Sequence, residues 1–204
     1  MNQSAPKAGF FAFAMTFEAG ILVLAVALGR WMDLKVLPEV AGPWRDVAGG
    51  AIAAVPMLFA MIWMVESHNA IWLDIRQVVE QMILPSLRGL RFWQLASLSA
   101  LAGLGEEALF RGILQTKLAA HLDKTLGLAL ASAAFGLAHA LTPAYALLAG
   151  AMGLWLGWLY LWTGDLMAPV LCHAVYDFAA LCYLLKVHKP GKADPQTSSS
   201  DNLR

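Results

Sequence analysis

The sequence predicts an all-α protein: a polytopic transmembrane helix bundle of about six spans, with an amphipathic helix lying at the interface. Three observations carry that prediction. The chain has 204 residues, of which 59% are hydrophobic and 14% charged, and its mean hydropathy is +0.61. A soluble domain carries about 25% charged residues and has too little interior to hide this much apolar surface. Apolar runs of the length that crosses a bilayer, about 20 residues, recur along the chain. One further stretch mixes charges with apolar residues at helical spacing.

The runs are taken in order. The first covers Gly9 to Gly29 and the second Val47 to Val65. The third spans Phe92 to Thr116, the fourth Leu126 to Leu141, the fifth Ala144 to Thr163 and the sixth Leu166 to Leu185. Pro143 separates the fourth from the fifth, and Thr163-Gly164-Asp165 makes a tight turn before the sixth. Lys7 is the one basic residue before the first run, and no small-residue cleavage site follows it, so this run reads as a retained span. Between Glu66 and Arg91, the residues Ile71, Ile75, Val78, Val79, Met82 and Ile83 recur at three and four among Asp74, Arg76, Glu80, Arg88 and Arg91. That pattern predicts the interfacial helix, broken or kinked at Pro85. Residues 1–188 therefore read as one transmembrane helical domain, and 189–204, with Pro190, Pro195 and Ser198-Ser199-Ser200, as a polar, disordered tail.

Charge narrows the function classes. The 14 basic and 14 acidic residues balance, and no basic block suggests nucleic acid. Lys7, Arg76, Arg88, Arg91, Lys186, Lys189, Lys192 and Arg204 fall on the side that six spans give to both termini. Arg30, Lys35, Arg45, Lys117 and Lys124 fall on the other. The positive-inside rule places the termini in the cytoplasm, for a multi-pass protein of the plasma (inner) membrane. Cys172 and Cys182, ten residues apart on one helix, point in different directions and are not expected to form a disulfide.

The chemistry-bearing residues lie inside the spans. The third contains Gly105-Glu106-Glu107-Ala108-Leu109-Phe110-Arg111-Gly112. Each charge at mid-bilayer costs at least ~2.5–3.5 kcal/mol. Glu107 and Arg111, four residues apart, share a helix face and can pair. Glu106 lies about 100° round the helix and is left without that partner, which suits a general base. The fourth span ends Phe135-Gly136-Leu137-Ala138-His139, and the sixth carries His173-Ala174-Val175-Tyr176-Asp177. A lone intramembrane histidine is often a helix-to-helix hydrogen bond, and Glu107 with Arg111 would alone be a packing device. Carboxylates and imidazoles on three separate spans point instead to one site. Two mechanisms use such a set: a glutamate-activated water held by histidine, or a divalent metal such as zinc bound by Glu106, His139, His173 and Asp177. The soluble zinc-protease pattern His-Glu-x-x-His is absent from the sequence.

These motifs resemble the CPBP family, also called Abi, which includes the type II CAAX prenyl endopeptidases. Glu-Glu-x-x-x-Arg, Phe-x-x-x-His and His-x-x-x-Asn/Asp occur in that order in separate spans. The similarity covers Arg88 to Asp177, with the lead-in Pro85-Ser86-Leu87-Arg88, inside a family-like core of about 85–186. It implies a helical membrane core with a conical cavity and an intramembrane glutamic or metallo-endopeptidase; no cofactor is the first expectation, and a divalent metal such as zinc the alternative. The implied substrate is a protein or peptide in the bilayer, cut near the C-terminus or leader of a membrane-associated or lipidated chain. Glu106 would activate water, assisted by His139; Glu107 and Arg111 would support the site; His173 and Asp177 would form the oxyanion side. The prenyl endopeptidases place Asn where this chain has Asp177. An ionised Asp offers no N–H to an oxyanion, so Asp177 is protonated, orients His173 or binds metal.

The rival readings are weaker. Ser97, Ser99 and Ser132 lack a Gly-x-Ser-x-Gly elbow, and Asp165 and Asp177 reverse the order that presenilin-like chemistry uses. A non-catalytic immunity or assembly factor of the same fold is the main alternative, and Glu106→Gln separates the two. Glu18, alone in the first span, suits a transporter carboxylate less well than an interhelical hydrogen bond. Trp155, Trp158 and Trp162 form a packing or lipid-facing stripe, while Trp31, Trp44, Trp63, Trp72 and Trp93 mark span ends. One spacing is awkward: with the fourth span ending at Leu141, His139 would lie roughly 15 Å in depth from Glu106.

Overall fold

A computed structural model describes residues 4–38, 44–67 and 72–187. The predicted tail at 189–204 lies outside the described residues, as does Ile71 of the amphipathic pattern. Every described regular element is helical: α1 (Ser4–Trp31), α2 (Trp44–Glu66), α3 (Leu73–Val78), α4 (Leu84–Leu87), α5 (Phe92–Glu107), α6 (Thr116–His121), α7 (Lys124–Ala138), α8 (Pro143–Thr163) and α9 (Met167–Val187). Two π-helical stretches, Val79–Ile83 and Ala108–Gln115, join α3 to α4 and α5 to α6.

Four of the described helices are long and apolar enough to cross a membrane: Gly9–Trp31, Val47–Glu66, Pro143–Thr163 and Met167–Val187. The third predicted span is a composite of α5, the π-helical stretch and α6, so its apolar run is shared among three segments. The fourth is α7, which has 15 residues. At 1.5 Å per residue α7 is about 22 Å long, short of the ~30 Å hydrocarbon core. Phe13, Phe17, Val23, Ile52, Phe59, Leu147 and Trp162 are exposed, as expected of side chains turned to lipid rather than water. The chain is a multi-pass helical membrane protein.

Local chemistry places the helix ends. Asp123 accepts from the backbone N–H groups of Thr125 and Leu126 and starts α7. Thr142 accepts from Tyr145 N–H at 3.2 Å, and Pro143 follows it at the first helical position, where no N–H is needed. Gly164 ends α8 at φ +73°, and Asp165 accepts from Met167 N–H at 2.7 Å to open α9. The predicted turn at Thr163-Gly164-Asp165 is thus a left-handed cap followed by an Asx turn.

The helix α9 lies at the centre, with α2, α5 and α8 packed against it; α1 covers the other side of α5, and α7 lies between α8 and the π-helical stretch Ala108–Gln115. The amphipathic segment folds onto this bundle. Ile75, Val78, Val79, Leu84 and Leu87 are buried, while Leu73 and Met82 stay exposed. Its apolar face joins Met61 and Met64 of α2 and Ala180 and Leu184 of α9 in one core cluster. Pro85 sits in the first turn of α4, just after the π-helical turns, and the helix ends beyond Leu87 before Gly89 at φ +89°. Both cysteines are free.

The α2–α9 crossing depends on close backbone approach. A Cβ at Gly50 would lie 2.5 Å from Ala168 O and 3.0 Å from Ala168 Cα, both backbone atoms that cannot swing aside. Small residues are what let membrane helices approach this closely. Gly50→Ala is therefore expected to destabilise the fold by about 1–3 kcal/mol through overpacking, read as a lower melting temperature in detergent. A variant that melts with the wild type would show that α2 can shift outward at no cost.

Candidate active site

Two close approaches bring the charged motifs together. On α5, a Cβ at Gly103 would lie 3.0 Å from Ala174 N and from Val170 O of α9. A Cβ at Gly105 would lie 3.1 Å from Glu18 O of α1. The helix is thus held tightly between α1 and α9, and Glu107 comes within reach of His173. Immediately after Glu107 the turns widen to π geometry, and Thr116 Oγ1 donates to Arg111 O five residues back at 2.9 Å. Such π-helical turns are rare and often occur at functional sites.

Glu107 is the hub of a sealed network. Its Oε1 accepts from Arg111 Nη1 at 2.8 Å and from His173 Nδ1 at 2.8 Å. The expected pairing of Glu107 with Arg111 is present, and it extends to a second helix. Arg111 Nη2 donates to Gly153 O of α8 at 3.0 Å, and its guanidinium lies 4.6 Å from the centre of the Phe135 ring. One turn on, Gln115 Nε2 donates to Gly157 O at 3.0 Å. Two side chains four residues apart thus bind two carbonyls four residues apart, fixing the composite helix against α8. The side chains of Glu107 and Arg111 are 0% and 1% exposed, closed off behind the site.

Glu106 faces the other way. Its Oε2 lies 3.5 Å from His139 Nε2, so it is not without a partner as the helix spacing suggested. His139 Nδ1 lies 2.9 Å from Phe135 O; a carbonyl only accepts, so Nδ1 carries the hydrogen and Nε2 is turned to the glutamate. The predicted depth offset disappears because α7 stops at Ala138. His139 caps a short helix whose end lies level with Glu106. His173 Nε2 lies 3.5 Å from Asp177 Oδ2, one turn along α9. Of the three roles open to Asp177, this position matches the orienting of His173.

All six predicted residues therefore share one region: Glu106 beside His139, and Arg111, Glu107, His173 and Asp177 in a chain. A cavity of about 220 Å³ touches four of them, Glu106, His139, His173 and Asp177, and misses Glu107 and Arg111. The rest of its wall is mostly apolar, with Met61 and Met64 from α2, Ile75 and Val79 from the amphipathic segment, and Met152 from α8. Among the described residues no three His, Cys, Asp or Glu side chains group so as to hold an ion. The four candidate ligands approach one another as two pairs, Glu106 with His139 and His173 with Asp177, each at 3.5 Å.

Sequence reasoning missed several residues of this site. Phe135 was read only as a motif position, yet its ring lies 4.4 Å from that of His139 and 6.0 Å, edge to face, from that of His173. Its spacing of four from His139 was the available signal. Gln115 carried a weaker signal, as a polar residue four beyond Arg111. Tyr145, Tyr176 and the methionines of the cavity wall had none, because nothing local distinguishes them from ordinary span residues.

Comparison with known proteins agrees with the motifs. Residues 88–179 match the family described as "Type II CAAX prenyl endopeptidase Rce1-like". Residues 88–179 are thus similar to an Rce1-like domain, which agrees with the resemblance drawn from Glu106 through Asp177. No curated protein and no solved structure matches it. Helices α1 and α2 and the amphipathic segment up to Leu87 lie outside the matched residues.

Proposed function

We propose that this chain is an intramembrane endopeptidase that cuts a membrane-associated or lipidated protein near its C-terminus or leader. The observation that carries this reading is the division of the two adjacent glutamates: Glu106 opens onto the cavity with His139, while Glu107 is sealed behind it with Arg111. A general base must reach the atom it deprotonates, and only Glu106 can. The mostly apolar wall beside it suits a lipid chain or large apolar side chain next to the scissile bond.

In the proposed reaction a water binds against Glu106 Oε2 and His139 Nε2. Glu106 takes its proton as the oxygen attacks the peptide carbonyl carbon. The oxyanion is held by N–H donation from Nε2 of a doubly protonated His173, whose Nδ1–H is held by Glu107 and whose Nε2–H turns from Asp177 to the oxyanion. The C–N bond then breaks, and the proton on Glu106 passes to the leaving nitrogen, giving a carboxylic acid and an amine. No cofactor enters this scheme.

The test compares the termini of membrane-fraction proteins by mass spectrometry, in host cells making wild type or Glu106→Gln at equal level. Specific cleaved termini should be present with wild type and missing with the variant. Matching sets, in cells where deletion of the protein still has a phenotype, would favour the immunity or assembly reading instead. Treating wild-type membranes with a chelator should leave the cleavages unchanged. Loss of cleavage restored by zinc would put a metal at Glu106, His139, His173 and Asp177 and overturn the scheme.

A further inference from the structure

One intramembrane carboxylate remains outside the mechanism. Glu18 lies on α1, in an apolar helix where a charge costs at least ~2.5–3.5 kcal/mol at mid-bilayer. It does not face lipid. Leu22 packs with Ala25 against the composite helix, and Phe11 stacks edge-on against Trp93 of α5 at 5.7 Å. Glu18 falls on the same stripe, seven residues beyond Phe11 and four before Leu22. Its backbone meets α5 at Gly105, the residue before Glu106. Its Oε2 is enclosed and has no hydrogen-bond partner among the described residues. The interhelical hydrogen bond expected from the sequence therefore does not account for this atom. Four charged or titratable groups lie within its electrostatic reach: Glu106 on α5, Asp177 and His173 on α9, and His139 at the end of α7.

A half-buried carboxylate with one oxygen enclosed acts on its neighbours more strongly than it would in water. We propose that Glu18 is a positioning residue of this site: carried by α1 onto Gly105, its carboxylate sets the electrostatic field in which Glu106 and His139 work. The proposal rests on Glu106 being the base, and it gives α1, outside the matched residues, a part in the chemistry.

The first test needs no substrate. The full-length chain, labelled with ¹⁵N-histidine, is compared by NMR as wild type and as Glu18→Gln, which keeps the shape of the side chain. The ring-nitrogen resonances of His139 and His173 should move, while those of His121, exposed on α6, stay in place. Unmoved His139 and His173 resonances would overturn the proposal, as would equal movement of all three. The second test is kinetic, on a peptide spanning a cut site found in the termini comparison. Glu18→Gln should lower kcat about tenfold with KM unchanged, and Glu18→Asp should recover part of the loss. If wild type cuts nothing, the protease reading fails, while the NMR comparison still decides the role of Glu18. Should Glu18→Gln not fold, Glu18→Asp must give a smaller resonance shift at the same two histidines; no shift there overturns the proposal.

Discussion

Glu106→Gln should abolish cleavage while leaving the fold intact. Glutamine has nearly the same size and offers no basic oxygen, so the water between this residue and His139 loses its proton acceptor. A positioned general base contributes about 10²–10⁴-fold to a rate, and loss of at least that factor is expected in kcat. Stability should hardly change. Glu106 Oε2 makes no hydrogen bond within the described residues, and its contact with His139 is a 3.5 Å approach rather than a short bond. Unfolding in detergent should place the variant close to wild type. An active Glu106→Gln enzyme would remove Glu106 from the reaction, and a misfolded one would make the residue structural.

The opposite pattern is expected at Arg111. Arg111→Met keeps apolar length but leaves the Glu107 carboxylate, 0% exposed, beside His173 with no guanidinium. Breaking a buried ion pair from one side costs about 3–5 kcal/mol. The substitution also removes the bond to Gly153 O and the contact over Phe135. The variant should accumulate poorly and melt well below wild type. Adding Glu107→Gln should recover part of that loss, because the second change removes the uncompensated charge rather than another favourable contact. Equal melting of Arg111→Met and wild type would mean that the pair contributes nothing to the fold. A double variant less stable than the single one would show that Glu107 is held chiefly by His173.

The two predictions separate neighbours in the chain. Glu106 and Glu107 are adjacent and chemically identical, and helix rotation alone sends them to different surroundings. The spacing of four between Glu107 and Arg111 made their pairing readable in advance. The same logic left Glu106 without a partner, because no spacing rule reaches across to His139 on another helix. Asp177 was ambiguous for a similar reason: whether it binds metal or orients His173 depends on where the other ligands lie.

By itself the sequence determined that this chain lives in a bilayer as an all-helical protein, since its composition can be solvated in no other way. It also determined where α8 gives way to α9, through the turn at Thr163-Gly164-Asp165, whose capping chemistry is local. The six charged and polar residues of the candidate site could be picked out too, because charges inside apolar runs are costly and stand out. Only the tertiary structure decided the rest. It showed that α7 is too short to span, which brings His139 level with Glu106. It folded the amphipathic segment onto α2 and α9, where it lines a cavity. It set the Glu18 backbone against Gly105 and made Phe135 the ring shared by His139, His173 and Arg111. These features arise from contacts between helices far apart in sequence, and one-dimensional periodicity carries no information about which helix a given face will meet.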